Sequence, residues 1–332
     1  MKAIIPVAGI GSRLRPHTHT QPKSLIPVAG NTILGHIIER LLAGGIQDFV
    51  FIIGYLGEKI ESYVTREYPH IRADFVVQEP REGLGHALYV ARESYRHEQD
   101  IVIILGDTIV EVDMHQLLTY PGTMLGVKKV DTPSLFGVTE LGPDDFVTKV
   151  VEKPKIPKSN VALVGLYKIH EPVKLIQALE YIIQEGIKTL GEYHLSDALM
   201  HMIRQGEKMA TLAVDRWFDC GRKETLLKAN AILLNRLPAP PATQTVFPDT
   251  IIIPPVSIGE NCRISHSIIG PNVAIGDYTI VTNSILHDSI IGSYSELRNA
   301  VMHDSIVGSD ASLLGLSHSF NIGDNTEINF SE

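Results

Sequence analysis

Residues 1–16 read MKAIIPVAGIGSRLRP, and this stretch sets the fold that we expect for the first part of the chain. Lys2–Val7 is a short apolar run, typical of a buried strand, that ends at a glycine turn. A helical pattern then follows, with apolar residues at Ile33, Ile37, Ile38, Leu41 and Leu42. Strand, glycine loop and helix in this order predict the first unit of a layered α/β domain.

The same alternation continues along the chain. We predict strands at 49–53, 74–78 and 101–105, with helices at 58–68 and 87–95. Between Gly122 and Ile169 the apolar runs are shorter and are broken by Pro and Gly, which predicts a mostly antiparallel insertion. Helical patterns return at 173–184, 196–205 and 223–235. The whole pattern predicts a Rossmann-like α/β domain over residues 1–237, with a mixed, mostly parallel sheet.

The composition changes after a proline-rich segment, PAPPATQTVFPDT at 238–250, which predicts a linker. Beyond it, NSILHDSIIGSYSEL from Asn283 is echoed by NAVMHDSIVGSDASL from Asn299, sixteen residues later. Aliphatic residues recur six positions apart, in the pairs Ile258 and Ile264, Ile269 and Ile275, Ile285 and Ile291, and Val301 and Val307. Such repeats predict a short parallel β-helix over 251–332 whose coils bury one aliphatic residue per face. The spacing resembles the hexapeptide repeats of left-handed β-helices, with one tightened corner per coil.

The overall composition excludes several classes of protein. The formal net charge of −9 disfavours a general nucleic-acid binder, which needs clustered Lys and Arg. The two cysteines, Cys220 and Cys262, are too few for a disulfide framework, and we expect buried free thiols. The first apolar run is too short for a signal peptide, and no span of about 20 apolar residues follows. These features predict a cytoplasmic protein that is not bound to a membrane.

Three interpretations compete for the loop AGIGSRLRP. A dinucleotide fingerprint would need a third glycine where Leu14 stands, and a Walker loop would need Gly-Lys-Ser/Thr, which is absent. A glycine turn that approaches a polyphosphate with bare N–H groups fits, with Arg13 adding charge. Lys23, set by Pro22, would then act as a point charge on the phosphates. The alternative is a simple turn between strand and helix.

Two aspartates follow apolar strands far apart in sequence. Asp107 ends ILGD and Asp219 ends RWFD. Each alone is compatible with a turn or a helix cap. At the carboxyl ends of strands, where ligands bind in open α/β sheets, the two together with a phosphate loop predict a Mg²⁺ site.

The run PVAGIGSRLRPHTHTQPKSLIPVAG resembles the signature of sugar-1-phosphate nucleotidylyltransferases, a family that includes glucose-1-phosphate thymidylyltransferases and mannose-1-phosphate guanylyltransferases. The resemblance extends from Met1 to about Leu237. Further motifs arrive in the family's order: QEPREGLGHAL from Gln78, LGDT from Leu105, FGV from Phe136, EKP from Glu152, VGLY from Val164, EYHLSDAL from Glu192 and WFDCG from Trp217.

The resemblance implies roles for particular residues. It implies a nucleotide site at Ala8, Gly9, Gly11, Ser12, Arg13, Lys23, Gln78 and Gly83, with Gln78 and Gly83 at the base edge. It implies a sugar-phosphate site at Gly137, Glu152, Lys153, Gly165 and Trp217, where Glu152 accepts sugar hydroxyls and Lys153 binds the phosphate. It implies that Asp107 and Asp219 hold Mg²⁺ and that the catalytic residues are Arg13, Lys23, Asp107, Lys153 and Asp219.

The chain departs from the family pattern at a few positions. Ser12 and Ser196 stand where Thr is usual, and Phe136 stands where Tyr is usual. Arg222-Lys223 follows the glycine where Thr-Pro is common. None of these changes removes a charge that the chemistry needs, but Phe136 lacks a hydroxyl that bears on sugar identity.

The resemblance implies transfer of a nucleotidyl group from an NTP to a sugar 1-phosphate, with release of pyrophosphate. We expect dTTP or UTP with glucose 1-phosphate, ahead of mannose 1-phosphate with GTP. Thymine and uracil differ by one methyl group, worth about 1 kcal/mol, so the sequence does not separate them. A bifunctional enzyme with acyltransferase activity in the β-helix and an inactive regulatory homologue are the other hypotheses.

Two histidines in the repeats, His287 and His303, lie one repeat apart and should stack on one face of the β-helix. We interpret them as an exposed polar ladder, with a metal or acyl-transfer role as the alternative. The aliphatic-rich β-helix also predicts a homo-oligomer.

Overall fold

The computed structural model describes residues 1–237 and 247–316. The chain forms two compact units, residues 1–229 and residues from Asn230 onward. The predicted boundaries at 237 and 251 stay predictions, because much of the predicted linker, 238–246, lies outside the described residues. No helix in the described ranges is long and apolar enough to cross a membrane.

The first unit is built on short strands in chain order. They are β1 (Lys2–Pro6), β2 (Pro27–Val28), β3 (Asn31–Thr32), β4 (Asp48–Ile53), β5 (Arg72–Val77), β6 (Asp100–Ile104), β7 (Thr108–Glu111), β8 (Thr123–Lys129), β9 (Val138–Leu141), β10 (Val147–Val151), β11 (Val161–His170), β12 (Met209–Ala213) and β13 (Arg216–Asp219). The helices described up to residue 237 are α1 (Ile33–Ala43), α2 (Gly57–Glu67), α3 (Leu84–Val90), α4 (Met114–Thr119), α5 (Pro172–Gln184), α6 (Leu195–Arg204) and α7 (Lys223–Leu234).

One mixed sheet of nine strands organises this unit, in the order β10-β9-β11-β6-β1-β4-β5, with β8 joining β11 to β12. Strands β6, β1, β4 and β5 are parallel, whereas β11 runs antiparallel to β6, β8 and β9. The predicted antiparallel insertion therefore exists, but it extends the same sheet. The structure confirms the predicted Rossmann-like fold class.

The core of this unit follows from the apolar runs in the sequence. Central strands carry side chains that are buried on both faces, as in Ile4, Ile5 and Val50. Helix α1 buries the predicted stripe except Leu42, and Thr32 begins the helix by accepting a hydrogen bond from the Gly35 N–H at 2.8 Å. The parallel pairing of β6, β1, β4 and β5 brings the carboxyl ends of these buried strands to one edge of the sheet.

A second small sheet is a feature that the sequence did not predict. β7 and β13 pair antiparallel, with Thr108 opposite Asp219. β7 begins one residue after Asp107, and β13 ends at Asp219. This ribbon therefore brings together two aspartates that are more than a hundred residues apart in sequence.

The repeats form three parallel four-stranded sheets, as a short left-handed β-helix requires. Their strands are β14 (Ile251–Ile252), β15 (Val256–Ile258), β16 (Arg263–Ser265), β17 (Ile268–Ile269), β18 (Val273–Ile275), β19 (Ile280–Thr282), β20 (Ile285–Leu286), β21 (Ile290–Ile291), β22 (Glu296–Arg298), β23 (Val301–Met302), β24 (Ile306–Val307) and β25 (Ser312–Leu314). Ile285 pairs with Ile268, seventeen residues earlier, and Val301 pairs with Ile285, sixteen residues earlier. The coil length thus shortens by one residue along the β-helix.

Two predicted inward positions of the β-helix were wrong. Ile285 is 41% exposed and Val301 is 76% exposed, whereas the next residue, Leu286, is fully buried. The buried aliphatic residues of this coil are spaced five and then six apart, at Leu286, Ile291 and Leu297. The five-residue step from Leu286 to Ile291 is where the sixteen-residue coil is one residue shorter than the preceding seventeen-residue coil.

The two cysteines are free, but only Cys220 is buried, since Cys262 is partly exposed. Burial raises the pKa of the Cys220 thiol well above its usual range. The thiol is therefore protonated and behaves as a small apolar side chain.

Candidate nucleotidyl-transfer site

A cavity of about 660 Å³ opens where β1 and β6 end. Nine of the predicted site residues line it: Ala8, Gly9, Gly11, Ser12, Arg13, Lys23, Gln78, Gly83 and Asp107. The predicted sugar-side residues are not part of its wall. Gly137 and Lys153 lie beside Glu152, whereas Trp217 packs on Phe136 and Gly165 lies against Leu105. A ligand that uses both groups of residues must extend out of this cavity.

The glycine loop places Lys23 by leaving room for its side chain. Gly11 has a φ of 69°, and a Cβ built on it would lie 2.8 Å from the Lys23 Cβ and 3.1 Å from the Thr18 Cγ2. The Thr18 hydroxyl donates to the Gly11 carbonyl at 3.0 Å. Because only glycine fits this position without strain and collision, the loop can fold back over the lysine.

Lys23 forms an ion pair with Asp107 at the floor of the cavity. The Lys23 side chain is 12% exposed and the Asp107 side chain is 34% exposed. Burial alone would raise the pKa of Asp107, but the Lys23 ammonium and the Arg13 guanidinium outweigh it and hold this pKa below its usual value. Asp107 is therefore a carboxylate at neutral pH.

Three charged side chains lie beside Gly221, and a fourth is paired with one of them. A Cβ built on this glycine would lie 2.7 Å from Asp219 Oδ1, 3.1 Å from an Arg13 Nη and 3.3 Å from Lys23 Nζ, and Asp107 is held by Lys23. Gly221 also lines the cavity. The sequence analysis did not single it out, although its place two residues after Asp219 is a usable signal.

The donor set at Gly221 fits a hard divalent cation. Asp107 and Asp219 supply carboxylate oxygens, and Mg²⁺ is usually held by one or two carboxylates together with substrate phosphates. Over the described residues, no group of three or more His, Cys, Asp or Glu side chains is arranged to hold a metal. The two carboxylates alone would thus leave coordination positions for phosphate oxygens.

The side of the cavity near Gln78 is fixed by its amide group. Gln78 is 5% exposed, and its Nε2 donates to the Gly83 carbonyl at 2.9 Å. Gly83 has a φ of 104°, and a Cβ there would lie 2.6 Å from the Tyr193 carbonyl oxygen. With Nε2 committed in this way, Oε1 is the acceptor that Gln78 has left for a ligand.

The segment from Gln78 to Gly85 is joined by backbone hydrogen bonds to the segment that carries Tyr193. The Tyr193 N–H donates to the Glu82 carbonyl at 2.8 Å, and the Gly85 N–H donates to the Tyr193 carbonyl at 2.7 Å. Glu192, the neighbour of Tyr193, lines the cavity and was not predicted. These two backbone hydrogen bonds therefore hold the segment around Glu82 and the segment around Tyr193 together at this side of the cavity.

Glu152 is the centre of the second cluster. Ser196 Oγ donates to Glu152 Oε2 at 3.1 Å, and Lys153 Nζ lies 3.7 Å from Glu152 Oε1. A Cβ on Gly137 would lie 3.0 Å from Glu152 Oε2. Lys153 has a φ of 38°, an uncommon conformation for a side chain of this size. Such strain is concentrated at functional sites.

Trp217 connects this cluster with the ribbon of β7 and β13. Its ring contacts that of Phe136 edge to face, at 4.7 Å between centroids, and the Phe136 carbonyl accepts from the Lys153 N–H at 3.1 Å. Trp217 and Asp219 are two residues apart on β13 and so project from one face of it. The indole Nε1 is buried without a partner in the described part of the chain, which favours a ligand there.

Gly165 lies where the pairing of β11 with β8 is irregular, between Leu163 and Tyr167. A Cβ on Gly165 would lie 2.8 Å from side-chain atoms of Leu105, and the Leu105 N–H donates to the Gly165 carbonyl at 2.9 Å. The structure thus places Gly165 against the strand end that leads to Asp107.

His194 is a neighbour of Glu152 that the sequence analysis did not select. Its Nδ1 lies 3.9 Å from Glu152 Oε1, and its Nε2 is buried without a partner among the described residues. The histidine stands inside EYHLSDAL, so the motif itself was the available signal.

A family model described as "Nucleotidyl transferase" matches residues 2–236. The chain belongs to the nucleotidyl transferase family. The substrates of these sugar-nucleotide transferases are an NTP and a sugar 1-phosphate, and the enzymes generally use a divalent metal. The match spans the unit that carries both clusters and agrees with the predicted resemblance.

Curated nucleotidyl transferases are similar over different lengths. A glucose-1-phosphate thymidylyltransferase of Streptomyces antibioticus is 31% identical over 320 residues, covering 88% of this chain and 87% of the relative. The bifunctional protein GlmU of Methanocaldococcus jannaschii is 35% identical over 237 residues, covering 71% of this chain and 55% of that relative. The chain thus spans about half of the GlmU protein.

A solved structure shows the same nucleotidyl transferase fold. The crystal structure of a protein described as a glucose-1-phosphate thymidylyltransferase from Bacillus anthracis superposes with a TM-score of 0.61 at 26% identity. It covers 72% of this chain and 97% of the other.

Proposed function

We propose that the protein transfers a nucleotidyl group from dTTP or UTP to glucose 1-phosphate, giving a nucleotide sugar and pyrophosphate. The observation that carries the proposal is the convergence of Arg13, Lys23 and Asp219 on Gly221. Lys23 is paired there with Asp107, and Gln78 lines the same cavity. The choice of substrates is supported by the similarity to the Streptomyces antibioticus thymidylyltransferase over 88% of the chain.

The reaction joins two anions, so it depends on cations at fixed positions. Arg13 and Lys23 bind the triphosphate, and Lys153 binds the phosphate of the sugar. Mg²⁺, held by Asp107 and Asp219, would neutralise charge on the phosphates of the nucleotide. No side chain is needed as a general base, because the phosphate oxygen that attacks is already ionised.

The transfer itself is an in-line displacement at the α-phosphorus. An oxygen of the sugar 1-phosphate forms the new P–O bond, and the bond to pyrophosphate breaks. Glu152 accepts hydrogen bonds from sugar hydroxyls and so orients the ring, with Ser196 fixing one of its oxygens. Gln78 accepts from the ring N–H of thymine or uracil through Oε1.

Pyrophosphate release with Mg²⁺ tests the proposal. The panel crosses dTTP, UTP, GTP and ATP with the 1-phosphates of glucose, mannose and N-acetylglucosamine. We expect release with dTTP or UTP and glucose 1-phosphate, lost in Asp107→Asn and Lys153→Ala. Asp131→Asn, an exposed aspartate of the same unit, is the matched control and should retain activity.

Two results would contradict the proposal. Release only with GTP and mannose 1-phosphate would reassign the substrates and keep the reaction. If no substrate pair gives pyrophosphate release, in protein that still binds nucleotide by calorimetry, the hypothesis of an inactive regulatory homologue would be favoured over that of an enzyme.

A further inference from the structure

Two histidines on the outer face of the β-helix form a stacked pair. The His287 and His303 ring centroids are 5.4 Å apart and the rings are inclined by 10°. Each residue follows an inward-facing residue of its strand, the buried Leu286 or the partly buried Met302, and these two residues pair in register. The sixteen-residue coil therefore aligns the two side chains, as the sequence predicted.

Each imidazole is held by the aspartate that follows it. His287 Nδ1 lies 2.9 Å from an oxygen of Asp288, and His303 Nδ1 lies 3.1 Å from an oxygen of Asp304. Because a carboxylate only accepts, each Nδ1 carries the proton and donates it. In the neutral imidazole, which is the form that binds a metal, each Nε2 then has a free lone pair.

Asp288 is itself held in place from a second side. Besides its contact with His287, it accepts a hydrogen bond from Asn272 Nδ2 at 2.7 Å. A carboxylate that orients an imidazole through Nδ1 is the usual support behind a metal-binding histidine. The repeated His-Asp unit supplies this arrangement twice, one coil apart.

The pair is open to solvent. The His287 side chain is 42% exposed and that of His303 is 66% exposed. In the two preceding coils the matching positions are Gly270 and Ile253, which carry no ligand atoms in their side chains. Among the described residues, these coils therefore supply two imidazole nitrogens, and the remaining coordination positions would be open to water.

We propose that His287 and His303 bind one divalent transition-metal ion through their Nε2 atoms, with Asp288 and Asp304 as positioning residues. The ion belongs to the class that prefers imidazole, Zn²⁺, Ni²⁺ or Cu²⁺. Two nitrogens at about 2.0–2.1 Å from one tetrahedral ion lie about 3.3 Å apart, so the rings must tilt toward each other. Their exposure leaves room for this tilt. The proposal does not rest on the function of the first unit.

Binding of Ni²⁺ alone to the full chain tests the pair. Isothermal titration is done in excess Mg²⁺, which occupies carboxylate sites. We expect one Ni²⁺ equivalent in the wild type that is lost in both His287→Asn and His303→Asn. His266→Asn is the matched control, because His266 lies in the same β-helix beside Asp249 and should leave this equivalent unchanged. Affinity should rise from Co²⁺ to Ni²⁺ to Cu²⁺.

A second variant and a second readout separate binding from loss of structure. Asp288→Asn should weaken Ni²⁺ binding by about 10- to 100-fold while far-UV circular dichroism stays unchanged. In metal-free protein, ¹⁵N spectra of labelled histidine should show protonated Nδ1 and unprotonated Nε2 for both residues. Equal Ni²⁺ binding in all variants, or loss in only one of the two histidine variants, would overturn the proposal.

Discussion

Gly11 shows how one missing side chain positions a charge. The loop passes so close to Lys23 that a methyl group at residue 11 would collide with it. The glycine is therefore needed for the lysine as much as for the turn. The sequence predicted that a glycine turn and Lys23 act together, but it could not reveal this contact, because the two residues are twelve positions apart.

Gly11→Ala should lower both stability and turnover. An alanine in the left-handed region costs about 1–2 kcal/mol, and displacement of Lys23 should reduce kcat by about 100-fold, as misplacement by roughly 1 Å can do. Urea unfolding and pyrophosphate release measure the two effects. Gly45→Ala is the control, because Gly45 has a φ of 90° and an open surrounding. It should lose stability alone, and a similar fall in its kcat would refute the contact with Lys23.

The charged residues of the site could be predicted from their residue type and their sequence motifs, whereas the residues that lie next to them in the fold could not. Asp107 and Asp219 were each recognised after an apolar strand. Their neighbourhood depends on the ribbon of β7 and β13, whose strands have only four residues each. Such short strands show little periodicity, so no pattern in the sequence pointed to their pairing.

At the scale of elements, the long strands and helices were predictable because burial imposes a period on them. The predicted strand at 49–53 and helix at 173–184 each differ from β4 and α5 by one residue at the start. The register of the β-helix was harder. Ile285 and Leu286 are both aliphatic, and a regular six-residue spacing from Ile291 selects Ile285, because Leu286 stands only five residues before it. The shortened coil decides in favour of Leu286.

This register predicts unequal effects of two neighbouring substitutions. Leu286→Ala removes a fully buried side chain and should cost about 2–5 kcal/mol. Ile285→Ala removes a side chain that is 41% exposed and should cost much less. Chemical unfolding followed by circular dichroism compares them. Equal losses would mean that the buried face has been misassigned.

An ion pair between β4 and β5 predicts a dependence of stability on pH. Asp48 lies opposite Arg72 in the parallel register, and two guanidinium nitrogens of Arg72 donate to its carboxylate. The hydrogen bond from Arg72 lowers the pKa of Asp48, and burial opposes this only in part. Because folding lowers this pKa, the ion pair adds stability at pH values above the pKa of the unfolded state. That stability is lost as the pH falls through the pKa of the folded state.

Asp48→Asn should therefore be less stable than the wild type at pH 7. The difference in urea midpoint should stay constant down to about pH 5 and narrow below about pH 4, where the unfolded aspartate takes up its proton. Asp131→Asn serves as the control, because Asp131 is exposed. A difference that widens in acid would show that the pair does not lower the pKa.

At the scale of the whole molecule, the distribution of charge matters more than its sum. The chain carries a net charge of −9, and both proposed substrates are anions. In the proposed mechanism, binding therefore depends on the local cations Arg13, Lys23 and Lys153 and on a divalent ion. The composition disfavours nucleic acid as a general partner, but only the fold shows that Arg13 and Lys23 meet at Gly221.

Removal of the metal should stop the reaction without unfolding the protein. The carboxylates of Asp107 and Asp219 come from backbone already fixed by the β7–β13 ribbon, so EDTA should abolish pyrophosphate release and leave far-UV circular dichroism unchanged. Excess Mg²⁺ should restore the activity. Activity that persists in EDTA would remove the metal from the proposed mechanism.

The coils of the β-helix also bear on how this part of the protein can change during evolution. Within residues 247–316, each coil pairs only with its neighbouring coils along the chain. A duplication or deletion of one coil, sixteen or seventeen residues as in β20 to β23 and β17 to β20, keeps every remaining partner in register. An insertion or deletion that is not a whole number of coils would move the buried aliphatic residues of the following coils to the surface. Homologous genes should therefore differ in length here in steps of whole coils, while the catalytic half keeps its length.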